Sequence, residues 1–205
     1  MIYQQGVSTR HLVVLSILLA LSLLGETNNS CLGSLKNLYK LAEHQASSSL
    51  EAYETVFNLS PSTEETCQDI PKHVIDVSDI KETLKSLYCW NTFYNYHLVE
   101  VRHNHKDLSY PNDLREKLKD LNGTMFRTSE NMIRAAPSIT FEQPLNLSKV
   151  INDSDHAKKI YGGCVLYRIK NLLKEGNPIV QSLKMTDVCK KRNRRRVPTQ
   201  RSTCC

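Results

Sequence analysis

Between Leu32 and Leu172 the apolar residues recur with a helical period in four blocks, and the stretches separating those blocks restrict how the helices can be arranged. The first stripe is Leu32, Leu35, Tyr39, Ala42, Ala46, Leu50, Tyr53 and Phe57, and the second is Val77, Ile80, Leu84, Leu87, Tyr94, Leu98 and Val101. Leu114, Leu118, Leu121, Met125, Met132 and Ala135 form the third, and Ala157, Tyr161, Val165, Ile169 and Leu172 the fourth. Start and stop signals place helix A at 31–57, B at 77–104, C at 112–136 and D at 155–175, with Asp79 and Glu82 as an N-terminal capping pair of B and Gly176-Asn177-Pro178 ending D. A short helical or irregular extension follows D. Helices of about 25 residues are about 37 Å long, whereas the seven residues from His105 to Pro111 span at most about 23 Å, so B and C are antiparallel. The A-to-B and C-to-D segments hold nineteen and seventeen residues, enough to run the length of the bundle. Long, short, long predicts an all-α bundle in up-up-down-down order with two crossover loops.

The two ends of the chain differ from this middle. An apolar run from Leu12 to Gly25 follows a polar start carrying Arg10, the pattern of a secretory signal peptide over 1–25. At fourteen residues the run is shorter than the roughly 20 needed to cross a bilayer, so the mature chain is expected to lack a membrane span. Export agrees with five Asn-x-Ser/Thr sequons, at Asn28, Asn58, Asn122, Asn146 and Asn152. It agrees too with seven cysteines that form no C-x-x-C pair, which read as disulfides of an oxidising compartment rather than metal ligands. The tail, 190–205, holds seven basic residues and no acid, which leaves the domain at 26–189 close to neutral. A nucleic-acid binder would spread its charge over a folded face, so nucleic acid is not an expected partner. Arg192, Arg194 and Arg195 form a secretory convertase site, predicting cleavage after Arg195; an uncut tail would suit heparan sulfate instead.

No Gly-rich phosphate loop, G-x-S-x-G or H-E-x-x-H is present, and no catalytic residue, cofactor or metal is expected. His103 and His105 share a loop without a third ligand at a recognised spacing. A secreted cationic helical protein, antimicrobial or binding lipid or heparan, is the alternative class. Against it, the helices carry mixed charge and the positive excess lies in the tail. Opposite the core stripe of A stand Lys40 and His44, and on C the exposed set is Lys119, Phe126, Glu130 and their neighbours. Phe126, an exposed aromatic among charges, has the composition of a binding hot spot. Phe93 and Tyr96 leave the stripe of B and are expected under a crossover loop.

Several stretches resemble one family. "DHAKKIYGGCVLYRIKNLL" is similar to helix D of the leukaemia inhibitory factor and oncostatin M branch of the interleukin-6 superfamily. "KLKDLNGTMF" resembles the glycosylated helix C of that branch, "LEAYETVFNLSP" the end of helix A, and the basic C-terminus its cleavable tail. The resemblance implies a secreted, monomeric long-chain cytokine that holds two receptor chains together and starts kinase signalling. It implies a glycoprotein-130-type receptor on helices A and C, at Lys40, His44, Lys119, Phe126 and Glu130. A second receptor, such as that for leukaemia inhibitory factor or oncostatin M, would meet the start of helix D at His156, Lys158, Lys159 and Ile160. Relatives carry Phe-x-x-Lys there; this chain has Ala157 and Ile160 at those positions, so the second receptor is undetermined. A bridge between Cys67 and Cys164 resembles the family's. The bundle topology also lets Cys31 meet Cys189, which leaves Cys89 as the odd thiol.

Overall fold

The chain is described here from a computed structural model covering residues 9–104, 108, 110–142 and 154–184, with side chains from Leu32 onward. Four helices carry the fold: α1 Thr9–Phe57, α2 Ile80–Asn104, α3 Asn112–Ala135 and α4 Asp155–Ser182. No strand occurs among the described residues. Both α1 and α2 pack closely against α3 and α4, whereas the backbones of α1 and α2 stay apart, as do those of α3 and α4. The parallel helices are therefore diagonal partners.

Named contacts set the directions. Along α1 and α4, Lys36 reaches the carbonyl of Gln181 at 2.8 Å, Asn177 reaches Glu43 at 2.6 Å, and Gly162 lies against Tyr53, so the two run antiparallel. On α2 and α4, Leu87 meets Gly176 and His97 meets Tyr161, again antiparallel. Asn91 donates to Ser129 at 2.7 Å while Asn122 donates to Asn95 at 2.7 Å, so α3 opposes α2. The order is up-up-down-down, as the connection lengths require. The stripes read from the sequence form the core; Val77 and Ile80 are the exceptions, exposed at the entry to α2.

Three helix boundaries differ from the sequence reading by more than one residue, the smallest shift being at α2, which begins at Ile80 rather than at 77. Helix α1 starts at Thr9 instead of Cys31, because the leucine-rich run Leu12–Leu24 contains strong helix formers and no proline. Among the described residues no helix is long and apolar enough to cross a membrane. Helix α4 does not stop at Gly176-Asn177-Pro178 but continues to Ser182. Tertiary contacts override the local breaker there. A Cβ on Gly176 would meet Leu87 at 2.9 Å and Tyr39 at 3.0 Å, so glycine is what lets three helices close on one another. Lys36 then caps the far end, donating to the carbonyls of Gln181 and Leu183 at 2.8 and 2.9 Å. At the entry of α2, Asp79 accepts from the Glu82 amide at 2.9 Å, the N-cap the sequence suggested.

The α1-to-α2 crossover is pinned along its length. Cys67 is bonded to Cys164 of α4. Arg168, 3% exposed, donates to the Ile70 and Cys67 carbonyls at 3.1 and 2.8 Å and to Glu64 at 2.5 Å. Further on, the Tyr94 hydroxyl donates to the Pro71 carbonyl at 2.7 Å, and Trp90 Nε1 to that of Val74 at 3.0 Å. The loop thus crosses from the start of α4 to the start of α2 over their shared seam; Phe93 is buried, packed on Trp90, Tyr94 and His97 of its own helix, whereas Tyr96, also expected under the loop, is exposed.

Candidate functional site

The end of α1, the beginning of the crossover and the start of α4 enclose an open cleft of about 460 Å³, into which Asn58, Leu59, Ser62, Thr66, His156 and Ile160 face. Its walls follow from local chemistry. Helix α1 ends with Asn58 at φ 50°, a left-handed cap that asparagine tolerates better than other non-glycine residues, and Leu59 N donates back to the Glu54 carbonyl at 2.9 Å. Glu54 then accepts from the Ser62 amide at 2.7 Å, folding the crossover back over the helix end. Helix α4 is opened by Ser154, whose hydroxyl accepts from the Ala157 amide at 3.1 Å.

Gly162 and Gly163 bring the cleft walls together. A Cβ on Gly162 would fall 2.1 Å from the Tyr53 hydroxyl, and one on Gly163 3.0 Å from Ser62 Oγ. Burial pushes the Tyr53 hydroxyl well above its ordinary range, so it stays neutral. The Cys67–Cys164 bridge closes the floor, with Cα atoms 5.2 Å apart. Behind it, the hydrogen bond from Arg168 holds the Glu64 carboxyl below the usual carboxylate range. Across the Asn58–Pro61 wall lies a more open hollow of about 540 Å³, edged by Glu51, Thr55 and Lys170.

The four residues expected at the start of helix D behave differently from one another. His156 and Ile160 are exposed and line the cleft. Lys158 is tied back to Asp155 at 3.9 Å, and Lys159 lies over the Phe57 ring at 5.2 Å. Phe57 in turn faces Tyr110, which carries Arg115 over its ring at 5.3 Å. The two lysines of the expected set are therefore engaged in intramolecular contacts, and what remains open is an apolar contact beside an imidazole.

The expected surface on helices A and C is not gathered into one patch. Lys40 and His44 are exposed on α1, with Lys40 one turn beyond Lys36 on the side facing α4. On α3, Asn122 and Ser129 turn toward α2, and Phe126 and Ile133, each four residues further on, follow them to that side. Phe126 is 58% exposed, but it belongs to the α2/α3 face. Lys119 and Glu130 point outward and pair within α3, with Glu116 at 3.0 Å and Arg134 at 3.6 Å.

The sequons divide as well. Asn58 is exposed beside the cleft. Asn122 is half-buried, donating to Asn95 and accepting from Arg102 at 2.8 Å, with Thr124 fully buried, so a glycan there would have to emerge from the α2/α3 seam. Asn28 and Cys31 precede the described side chains; Asn146, Asn152, Cys189, Arg192, Arg194 and Arg195 lie outside the described residues. Cys89 is disulfide-bonded, which corrects its reading as the odd thiol. Sequence reasoning also missed Arg168, although an arginine between Val165 and Ile169, four residues after Cys164, is a signal of a buried loop anchor. Among the described residues no group of three His, Cys, Asp or Glu could hold a metal ion. Compared with known proteins, the chain matches no family model, no curated protein and no solved structure.

Proposed function

We propose that this chain is a secreted cytokine that bridges a glycoprotein-130-type receptor and a second, related receptor, and so triggers kinase signalling. The observation that carries the reading is the cleft where α4 begins. Ile160 is 40% exposed beside His156, over a crossover that a disulfide and a buried arginine hold rigid. An exposed apolar side chain on a fixed frame offers a partner contact area at little ordering cost. Nothing in the cleft resembles a catalytic constellation; its polar groups are hydroxyls, an amide and one imidazole, suited to hydrogen bonding a protein surface. Lys40, Lys119 and Glu130 supply outward charges, and His44 an outward imidazole, for the first receptor. Phe126 contributes if that receptor also spans the α2/α3 face. The basic tail beyond Cys189 is removed at Arg195 or held by heparan sulfate, and plays no part in the receptor contacts.

The test is co-precipitation of receptor ectodomains by the secreted protein. Capture of a glycoprotein-130-type ectodomain together with one second receptor of the leukaemia inhibitory factor or oncostatin M type is expected. Capture of neither, with binding to anionic liposomes or heparan instead, would replace this reading with that of a cationic lipid- or polysaccharide-binding protein.

A further inference from the structure

Asn58 and Asn122 are the sequon asparagines with described side chains, and the fold treats them oppositely. Asn122 is half-buried in the α2/α3 seam with its amide group bonded to Asn95 and Arg102, so a glycan there would have to push between the two helices. Asn58 is exposed, and its side chain makes no hydrogen bond to the described residues.

The end of α1 fixes where Asn58 stands. Its backbone is left-handed at φ 50°, its N–H meets the Thr55 carbonyl at 3.3 Å, and the N–H of Leu59 meets that of Glu54 at 2.9 Å, the paired bonds of a Schellman cap. The Glu54 carboxylate accepts from the Ser62 amide at 2.7 Å, so the ridge from Asn58 to Pro61 is held on both sides. The cleft with His156 and Ile160 lies on one flank of this ridge and the hollow edged by Glu51 and Lys170 on the other; Asn58 lines both. A glycosylation signal, Asn58-Leu59-Ser60, thus sits on the rim of the surface offered to the second receptor.

We propose that an N-linked glycan on Asn58 is a steric gate on the cleft: molecules that carry it do not seat the second receptor, and molecules bare at Asn58 do. The inference rests on the receptor reading of the cleft and adds its regulation. A glycan is bulky and solvated. Anchored to a backbone that the Schellman cap and the Glu54 bond hold in place, it is not carried aside by a loop movement. Whichever flank it leans toward, a protein reaching Ile160 has to pass its root, and that clash excludes the partner. Small molecules still enter, because the cleft is open.

Both forms are expected from one chain. Pro61 directly follows the sequon and confines Ser60 to extended backbone, which hinders the turn between asparagine and hydroxyl that the transfer uses, so the site is filled in part of the molecules. In the transfer one hydrogen of the Asn58 Nδ2 amide is replaced by the anomeric carbon of an oligosaccharide. That carbon's bond to a lipid-linked diphosphate breaks, the lipid diphosphate leaves, and the amide hydrogen is released as a proton.

The variant that isolates the glycan is Ser60→Ala, which removes the sequon but keeps Asn58, whose left-handed cap a glutamine would strain. Peptide mapping of the secreted full chain should find Asn58 occupied in some molecules and bare in others. At limiting second-receptor ectodomain, the captured protein should be enriched at least about tenfold in the bare form over the input, and Ser60→Ala should bind like the bare form. A receptor-independent measurement uses His156→Cys, which puts a thiol in the cleft. At short times the protein labelled there by a maleimide on a long polyethylene-glycol chain should show the same enrichment, and the protein labelled by N-ethylmaleimide should not. Asn58 bare in every molecule or occupied in every one, no enrichment with the polymer, or equal enrichment with both reagents would overturn the gate. So would capture of both forms in the input ratio. If no second receptor binds even the Ser60→Ala protein, the receptor reading has failed, and the polymer labelling alone decides whether Asn58 screens the cleft.

Discussion

The two ends of α4 are built differently. At its C-terminal end Gly176 lets Tyr39 and Leu87 close on the backbone, Asn177 is held by Glu43, and Lys36 caps the last carbonyls. At its N-terminal end the buried side is equally tight, with Tyr53 against Gly162, but the outer side presents His156 and Ile160 to an open cleft. Tyr39 and Gly176, and Tyr53 and Gly162, are the same fourteen residues apart on each helix, so the α1/α4 seam uses one packing device twice. The difference lies in what surrounds the device. One end is closed by side chains that serve the fold, and the other leaves groups that the fold does not need. Substitutions at the closed end should change stability, and those on the open side should change binding alone.

The largest effect should come from forcing the closed end apart. Gly176→Val places a branched side chain where a Cβ already lies 2.9 Å from Leu87, and overpacking of this kind costs about 3 kcal/mol. Chemical denaturation should show it; a loss below about 1 kcal/mol would mean that α4 ends before Gly176 in solution.

Acid should act next, at the buried side of the open end. His97 shares a hydrogen bond with the Tyr161 hydroxyl, and burial holds its imidazole down at about 4. The folded value lies below the unfolded one of about 6.5, so the stability present above that pH is lost as pH falls from there through about 4, on the order of 2 kcal/mol in total. His73 is also held low, chiefly by burial and despite the Glu175 carboxylate 3.1 Å away, and adds to the same limb. His97→Gln should flatten, without abolishing, the decline of melting temperature over that range. An unchanged slope would place the sensitivity elsewhere.

Lys36→Ala removes the cap on α4 and should cost about 1 kcal/mol. Ile160→Ser and His156→Ala on the open side should stay within about 0.5 kcal/mol of the native chain by the same assay. If the last two match the first, the contrast between the ends fails.

How much of this contrast the amino-acid order reveals depends on the range of the forces. The four stripes, the crossovers and the N-cap at Asp79 are local or periodic, and they are legible. The continuation of α4 through Pro178 is not, because the local preference for a break is overcome by Tyr39, Glu43 and Lys36, residues more than 130 positions away. The contact of Lys159 with Phe57 is not legible either, because it joins two helices more than 100 positions apart. Phe126 read correctly as exposed, but its neighbouring helix depends on which side Asn122 faces, and only the packed bundle decides that. Of the cleft, His156 and Ile160 are legible through the family resemblance; Asn58 is visible in the sequence only as a sequon, and its role as left-handed cap and cleft wall emerges with the folded chain.

The central claim is that the open side of the α4 start holds the second receptor. Its most direct test is a sensor-surface titration of Ile160→Asp against both receptor ectodomains, with thermal unfolding measured on the same sample. The account predicts at least a tenfold loss of second-receptor affinity, unchanged binding of the glycoprotein-130-type ectodomain, and an unfolding temperature within about 2 °C of the native chain. Native affinity for the second receptor in a folded Ile160→Asp protein would contradict it.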